Sequence, residues 1–362
     1  MIVLLKASYK ENMWVDDFRT DYKYKKSVLA PSGAEGVYDK SAVDCPFVFY
    51  HNNQYYMLHV GFDGKGYQTA LATSDDLMNW KKETLIFPRG TGTGWDKAGI
   101  AGVWILKNNN LHETPVLKKV NGKYWMIYHS YPEEGYEQGA AEIGLAYTDD
   151  ETLHNWTTLS KPILSWKDGD AWEQGGLYKG CMIEHQGKFY MFYNAKNKSK
   201  WVWNEQIGMA VSNNMIDWER IQDNPVIRNT ISGWDAKFCA DPYVVWDGEK
   251  WIMFYYGYDG VHAKEGIAFS DDLYHWEKYS KPIISNGQIG DIDELHAHKP
   301  CVIEKDGILY HFYCSVRNYI PSDTAFNIDP TQSDTTNAME YRCITVATNK
   351  AHNPENSHSL SK

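Results

Sequence analysis

The chain reads as an all-β protein, a five-bladed β-propeller whose last blade is closed by an N-terminal strand. Three observations predict this. A polar residue, a proline or cysteine and an apolar run occur together five times. They are Asp44-Cys45-Pro46-Phe47-Val48, Glu113-Thr114-Pro115-Val116-Leu117, Lys179-Gly180-Cys181-Met182-Ile183, Asp241-Pro242-Tyr243-Val244-Val245 and His298-Lys299-Pro300-Cys301-Val302. A Ser or Thr followed by two Asp or Asn residues precedes Trp80, Trp156, Trp218 and Trp276. Helical periodicity is weak throughout. Short strands recurring in this way, each set unable to bury its own faces, are the mark of a propeller.

The first repeat shows the expected blade. One strand runs from Pro46 to Tyr50, a His51-Asn52-Asn53-Gln54 turn follows, and a second strand covers Tyr55 to Val60. A third lies near Gln68 to Thr73, and a fourth opens at Trp80. Asp and Asn suit the turn between them because their side chains accept backbone N–H groups two residues on. Later fourth strands are Lys161-Pro162-Ile163-Leu164, Asn224-Pro225-Val226-Ile227 and Lys281-Pro282-Ile283-Ile284. An aromatic–acidic pair follows several of them: Trp95-Asp96, Trp172-Glu173 and Trp234-Asp235. In the second repeat, residues 101–110 read as an insertion ahead of Glu113. The fifth repeat lacks the tryptophan and the fourth strand. Residues 24–31, followed by Tyr38-Asp39, are expected to supply them and close the ring. The polar stretch 321–337 reads as a surface loop. The chain is expected to be one domain over residues 1–350, with a frayed tail at 351–362.

Composition narrows the function. The chain has 362 residues, 43% hydrophobic and 15% aromatic, which suits a large core. A net charge of -11 argues against nucleic-acid and anionic-membrane partners. The 15 Trp and 26 Tyr suit stacking on sugar rings as well as packing between blades. None of Cys45, Cys181, Cys239, Cys301, Cys314 and Cys343 forms a C-x-x-C pair, so buried thiols are expected rather than a disulfide framework. Residues 1–6 hold too short an apolar run for a signal peptide, and no run is long enough to span a membrane. A cytoplasmic location is the default expectation, periplasmic or secreted if a leader has been removed. Oligomeric state is not legible.

The first strand of each blade lines the axis, so five strand starts are expected to meet: Asp44, Glu113, Lys179, Asp241 and His298. Burying five ionisable groups in one hollow without a task is costly. Their chemistry fits glycoside hydrolysis of a terminal sugar, in which one carboxylic acid protonates the leaving oxygen and a second carboxylate acts on water or carbon. Inversion is the expected outcome. No cofactor is required. His296-Ala297-His298 puts two rings on one strand face, so His298 is a candidate metal ligand. Expected carbohydrate contacts are Trp104, Tyr131, Glu173, Lys179, Trp203, Tyr258 and Arg317, with His129, Asn194 and Lys196 near them. Trp201 belongs with Trp203 in one loop. Two alternatives stay open. A phosphorylase would use Lys179, His298, Lys299 and Arg317 as its anion site, and a non-catalytic sugar-binding propeller would need no acids.

Over about residues 40–320 the chain resembles the five-bladed propeller glycosidases, of which glycoside hydrolase family 43 is the best known. The resemblance rests on Asp44 before the first strand, on Glu113-Thr114-Pro115 with Asn121-Gly122-Lys123-Tyr124-Trp125 after it, and on Asp241-Pro242. It implies that Asp44 is the general base, Glu113 the general acid and Asp241 the group that tunes the acid. Glu173 and His298 stand as alternative acids. It also implies a structural Ca²⁺ on the propeller axis near His298. The Asp-Pro follows the acid instead of preceding it, and Cys45 separates Asp44 from its proline. A sister family is therefore expected rather than family 43 proper.

Overall fold

A computed structural model describes residues 14–92, 94–198, 203–328 and 339–351. Strands, turns and loops make up nearly all of it. Among the described residues, helix is confined to residues 14–16 and a single 3-10 turn, Trp166–Asp168. The expected tail after Ala351, most of the 321–337 loop and Trp201 lie outside the described residues.

A short N-terminal strand, β1 (Tyr22–Lys23), is followed by four-stranded antiparallel sets. The first is β2 (Ala42–His51), β3 (Gln54–Phe62), β4 (Tyr67–Ser74) and β5 (Lys81–Phe87), in that order. The second is β6 (Ala101–Ile105), β7 (Tyr124–Ser130), β8 (Glu142–Thr148) and β9 (Thr157–Thr158). Next come β10 (Gly176–His185), β11 (Lys188–Lys196), β12 (Glu205–Ser212) and β13 (Glu219–Arg220). Then follow β14 (Phe238–Trp246), β15 (Trp251–Tyr258), β16 (Ala263–Ser270) and β17 (Glu277–Lys278). The last strands are β18 (His296–Lys305), β19 (Ile308–Asn318), β20 (Asn327–Ile328) and β21 (Met339–Thr348). Single parallel pairs, Glu205 with Phe238 and Ala263 with His296, join the sets from β10 onward into one sheet.

The turn chemistry is as expected. Asp76, Asn214 and Asp272 each accept the N–H two residues on, from Met78, Ile216 and Tyr274. Each turn then brings an indole back: Trp80, Trp218 and Trp276 donate to the carbonyls of Leu77, Met215 and Leu273. The prolines break the fourth strands. Ladder pairing at Thr157–Thr158 lapses before Pro162 and resumes as one bridge between Leu164 and Ile143, since proline offers no N–H to the ladder. Bridges of Ile227 to Ile207 and Ile284 to Glu265 repeat this. Leu29 makes the same bridge to Ile344, and Tyr22–Lys23 pairs with β21. The N-terminal segment thus adds the outer strand to β21, as its sequence predicts.

The second repeat is a correction. Its first strand is β6, Ala101–Ile105, and Glu113 lies in the loop after it. The first half of the supposed insertion is the buried strand β6, which carries no charged residue, and the Pro115 stretch lies outside the strands, Val116 being exposed.

The aromatic–acidic pairs are fasteners. Their acids Asp39, Asp96, Glu173 and Asp235 are all buried, and so is Asp293, which follows Ile292 at the corresponding place. Asp96, Glu173 and Asp293 accept from the hydroxyls of Tyr128, Tyr193 and Tyr313 at 2.9, 2.6 and 2.9 Å. Cations on fourth strands complete them: Lys82 on Asp39, Arg220 on Glu173 at 3.0 Å, Lys278 on Asp235 at 2.7 Å and Lys23 on Asp293 at 2.6 Å. Glu173, expected at the sugar, is one of these fasteners.

Candidate active site

A shared distortion of the first strands builds the site. β2, β10, β14 and β18 each bulge near their start, between Asp44 and Phe47, Tyr178 and Cys181, Ala240 and Tyr243, and His298 and Cys301. The bulged residue is left-handed and not glycine: Cys45 at φ 53°, Lys179 at 50°, Asp241 at 56° and Lys299 at 65°. A bulge re-aims a side chain, and each such conformation stores about 1–3 kcal/mol of strain. Lys179, Asp241 and Lys299 therefore occupy one level, with Asp44 and His298 one residue earlier. β6 bulges between Gly102 and Trp104 and brings no ionisable group.

These starts open into a cavity with two parts. The wider part is lined by Tyr136, Trp203, Tyr258, His296, His298 and Arg342. The more enclosed part is lined by Tyr67, His129, Tyr131, Tyr178, Lys179 and Asp241. Glu137, Glu205, Tyr256 and Lys299 border both.

The carboxylates there are in opposite electrostatic states. Asn194 Nδ2 donates to Glu205 Oε2 at 2.9 Å and to Asp241 Oδ1 at 3.3 Å. Burial pushes Glu205 up to about 7, with the Lys196 ammonium opposite it on β11 working the other way. Burial likewise pushes Asp241 up to about 6, against Lys299 and Lys179. Burial would raise Asp44 too, but Lys299 at 2.6 Å and Arg342 at 3.2 Å reverse this and hold its carboxylate well below the usual range. His298 is kept neutral by burial, with Lys299 and Arg342 adding to the effect. Its Nδ1 lies 3.0 Å from the Cys314 carbonyl, so Nδ1 carries the proton and Nε2 is bare.

The expected residues divide. Asp241, His298, Lys179, Tyr131, Trp203 and Tyr258 line the cavity. Asp44 is buried beside it as the anchor of Lys299 and Arg342. Glu113 does not reach it. Its exposed carboxylate is held by the amides of Asn108 at 2.7 Å and Asn110 at 2.9 Å. Trp104 is core, 4.8 Å from the Phe47 ring and 5.1 Å from that of Tyr243. Arg317 grips Asp323 with both terminal nitrogens, at 2.8 and 2.5 Å, and lies over Tyr341.

Sequence reasoning missed Glu205, Glu137, Tyr256 and Arg342. A usable signal existed for Glu205. The end of a second strand meets the start of the third, so Lys196 and Glu205 had to be neighbours. Glu137, left-handed at φ 49°, sits in the turn after β7, where no strand pattern points.

Asp44, His298 and Cys314 bring potential metal ligands within 4.8 Å of one another. They do not fit calcium, which takes six to eight oxygen ligands. Asp44 already holds two cations, His298 offers nitrogen, and burial pushes the Cys314 thiol well above its usual range.

The family model of the glycosyl hydrolases family 32 N-terminal domain matches residues 107–308. The chain belongs to that family. This glycosyl hydrolase is therefore kin to, and distinct from, the family 43 enzymes it resembles. It is 28% identical to a structure described as a complex of BT0996 and RGII, with a TM-score of 0.79, over 96% of this protein and 97% of that one. A structure described as a glycoside hydrolase is also 28% identical, with a TM-score of 0.75, over 92% of this protein and 93% of that one. A 135-residue stretch is 32% identical to the beta-1,2-mannobiose phosphorylase of Thermoanaerobacter sp. (strain X514). That stretch is 33% of this chain and 44% of the phosphorylase, so less than half of that relative is matched.

Proposed function

We propose that the protein is a glycoside hydrolase that removes a terminal sugar, with Glu205 as general acid and Glu137 as the second carboxylate. The fold read with it is one domain over residues 1–350: a five-bladed propeller in which the four antiparallel sets and the β18–β21 group are blades, the last completed by β1. Glu205 is the observation that carries the proposal. It is a buried carboxyl, pushed up to about 7, that borders both parts of the cavity. A general acid must hold its proton near working pH, and a partner carboxylate must reach the same bond. Glu137 borders the same two parts, so the scissile bond is placed at their junction, with the terminal sugar in the enclosed part.

Asn194 orients the Glu205 and Asp241 carboxylates through one amide. Asp241 keeps the tuning role, because its charge above about pH 6 favours the protonated form of a neighbouring acid. Asp44 is reassigned from base to anchor. A carboxylate held so low is a poor proton acceptor, and its work is to fix Lys299 and Arg342. Trp203, Tyr256 and Tyr258 offer ring faces in the wider part for the leaving sugar.

The test is release of monosaccharide from RGII oligosaccharides and aryl glycosides in phosphate-free buffer. Release by the wild type and its loss in Glu205→Gln support the proposal. No release from any of them, or an active Glu205→Gln, sinks it. Lys179 and Lys299 in the cavity, together with the phosphorylase relative, favour a second reading, phosphorolysis. It requires sugar 1-phosphate as product and activity only with added phosphate.

A further inference from the structure

One cation in the cavity has no task in this mechanism. We propose that the enclosed part is an oxyanion subsite anchored by Lys179, taking the carboxylate of an acidic sugar or an inorganic phosphate. The proposal rests on the glycosidase reading only in treating this cavity as the substrate's. Lys179 is 6% exposed and lines the enclosed part. Other cations around the cavity are engaged. Lys299 holds Asp44 at 2.6 Å, and Arg342 holds Asp44 at 3.2 Å and Glu340 at 3.0 Å. Lys196 lies over the Trp203 ring at 4.7 Å. The Lys179 Nζ makes no hydrogen bond or ion pair among the described residues. Burying an ammonium this deeply is costly until a counter-charge arrives. No ion pair joins Lys179 to Asp241 among the described residues, and Asp241 Oδ1 accepts from the Asn194 amide at 3.3 Å instead.

Further donors surround the same space. His129 Nδ1 lies 3.4 Å from the Lys179 backbone N–H and accepts it. Burial, with Lys299 and Lys179, pushes the His129 pKa down to about 3, so the neutral ring carries its proton on Nε2. The buried Tyr67 hydroxyl has no partner among the described residues. An ammonium, an imidazole N–H and a phenol suit one oxyanion, which accepts from all three and neutralises the first. A neutral hydroxyl would leave the charge uncompensated. The left-handed bulge at φ 50° fixes the Lys179 backbone and with it the direction of the anchor.

The test is calorimetric binding at constant ionic strength, comparing glucuronate and galacturonate with glucose and galactose, and measuring inorganic phosphate separately. Wild-type protein is expected to bind an acidic sugar at least tenfold more tightly than its neutral counterpart, or to bind phosphate at least tenfold more tightly than either neutral sugar. Lys179→Met is expected to lose at least tenfold of that binding, and Lys179→Arg to keep most of it. An effect on the sugar acid identifies a carboxylate, and an effect on phosphate identifies the alternative source. The subsite is overturned if neither anion is preferred by the wild type, or if Lys179→Met binds the anion as tightly as the wild type. The wild-type preference decides the matter even if both variants misfold. Absence of sugar release from every oligosaccharide would sink the hydrolase reading and leave the subsite standing.

Discussion

Two groups of buried acids, a short distance apart in the chain, are used in opposite ways. The fastener acids Glu173, Asp235 and Asp293 each meet a lysine or arginine on a fourth strand. The cavity acids Glu205 and Asp241 meet a neutral amide instead. Burial is similar, so the difference lies in the counter-charge. A carboxylate given a cation holds strands together. A carboxylate denied one is pushed toward keeping its proton, and that is what acid catalysis needs. Asp44 shows the rule within the site itself, since its two cations place it with the fasteners.

The largest effect is expected of Glu205→Gln. It should lower kcat/KM about 10²–10⁴-fold with the melting temperature nearly unchanged. Glu173→Gln should do the reverse. Leaving Arg220 without its charge partner is expected to cost about 3–5 kcal/mol by denaturant titration, while folded molecules keep their activity.

pH sharpens the contrast. Glu205 and Asp241 have folded pKa values of about 7 and 6, above their ordinary values of 4.5 and 3.8. Their contribution to stability is complete below the ordinary values and is lost as pH rises through the folded ones. Asp44, held low, contributes above its ordinary value of 3.8 and loses that contribution as pH falls below it. Activity should fall above about pH 7 as Glu205 loses its proton. Lys196→Met removes the cation opposite Glu205, so this fall should move to higher pH in a kcat/KM profile, a shift that a purely structural lysine would not cause. The smallest effect belongs to Glu113→Gln, an exposed acid held by two asparagines. Activity within about twofold of wild type is expected, measured on any cleaved substrate.

The sheets were legible because their signals are local. Strand alternation, the Asp/Asn turns and the broken Pro strands can be read within a dozen residues, whereas the pairing of Leu29 with Ile344 is distant and was legible because the fifth repeat lacks a fourth strand that residues 24–31 resemble. The site was half legible. Asp241, Lys179 and His298 announce themselves beside the proline and cysteine motifs of first strands. Glu113 imitates that motif on the surface, because Pro115 followed by apolar residues looks the same whether or not a strand forms there. The true strand, Ala101–Ile105, has no charged residue to mark it. Glu137 and Arg342 escaped because a turn and a last strand reach the cavity only through the tertiary packing of the sheets. The pairing of Asp44 with Arg342 spans 298 positions and leaves no local trace.

That pairing ties function to the joining of two distant parts of the chain. Arg342 is synthesised 298 residues after Asp44, so the hollow between them is shaped only once the strand that carries Arg342 has emerged. A nascent or prematurely terminated product would present sheets without a working centre. Because so distant a contact is slow to form, the gain of activity during refolding should trail the appearance of β structure.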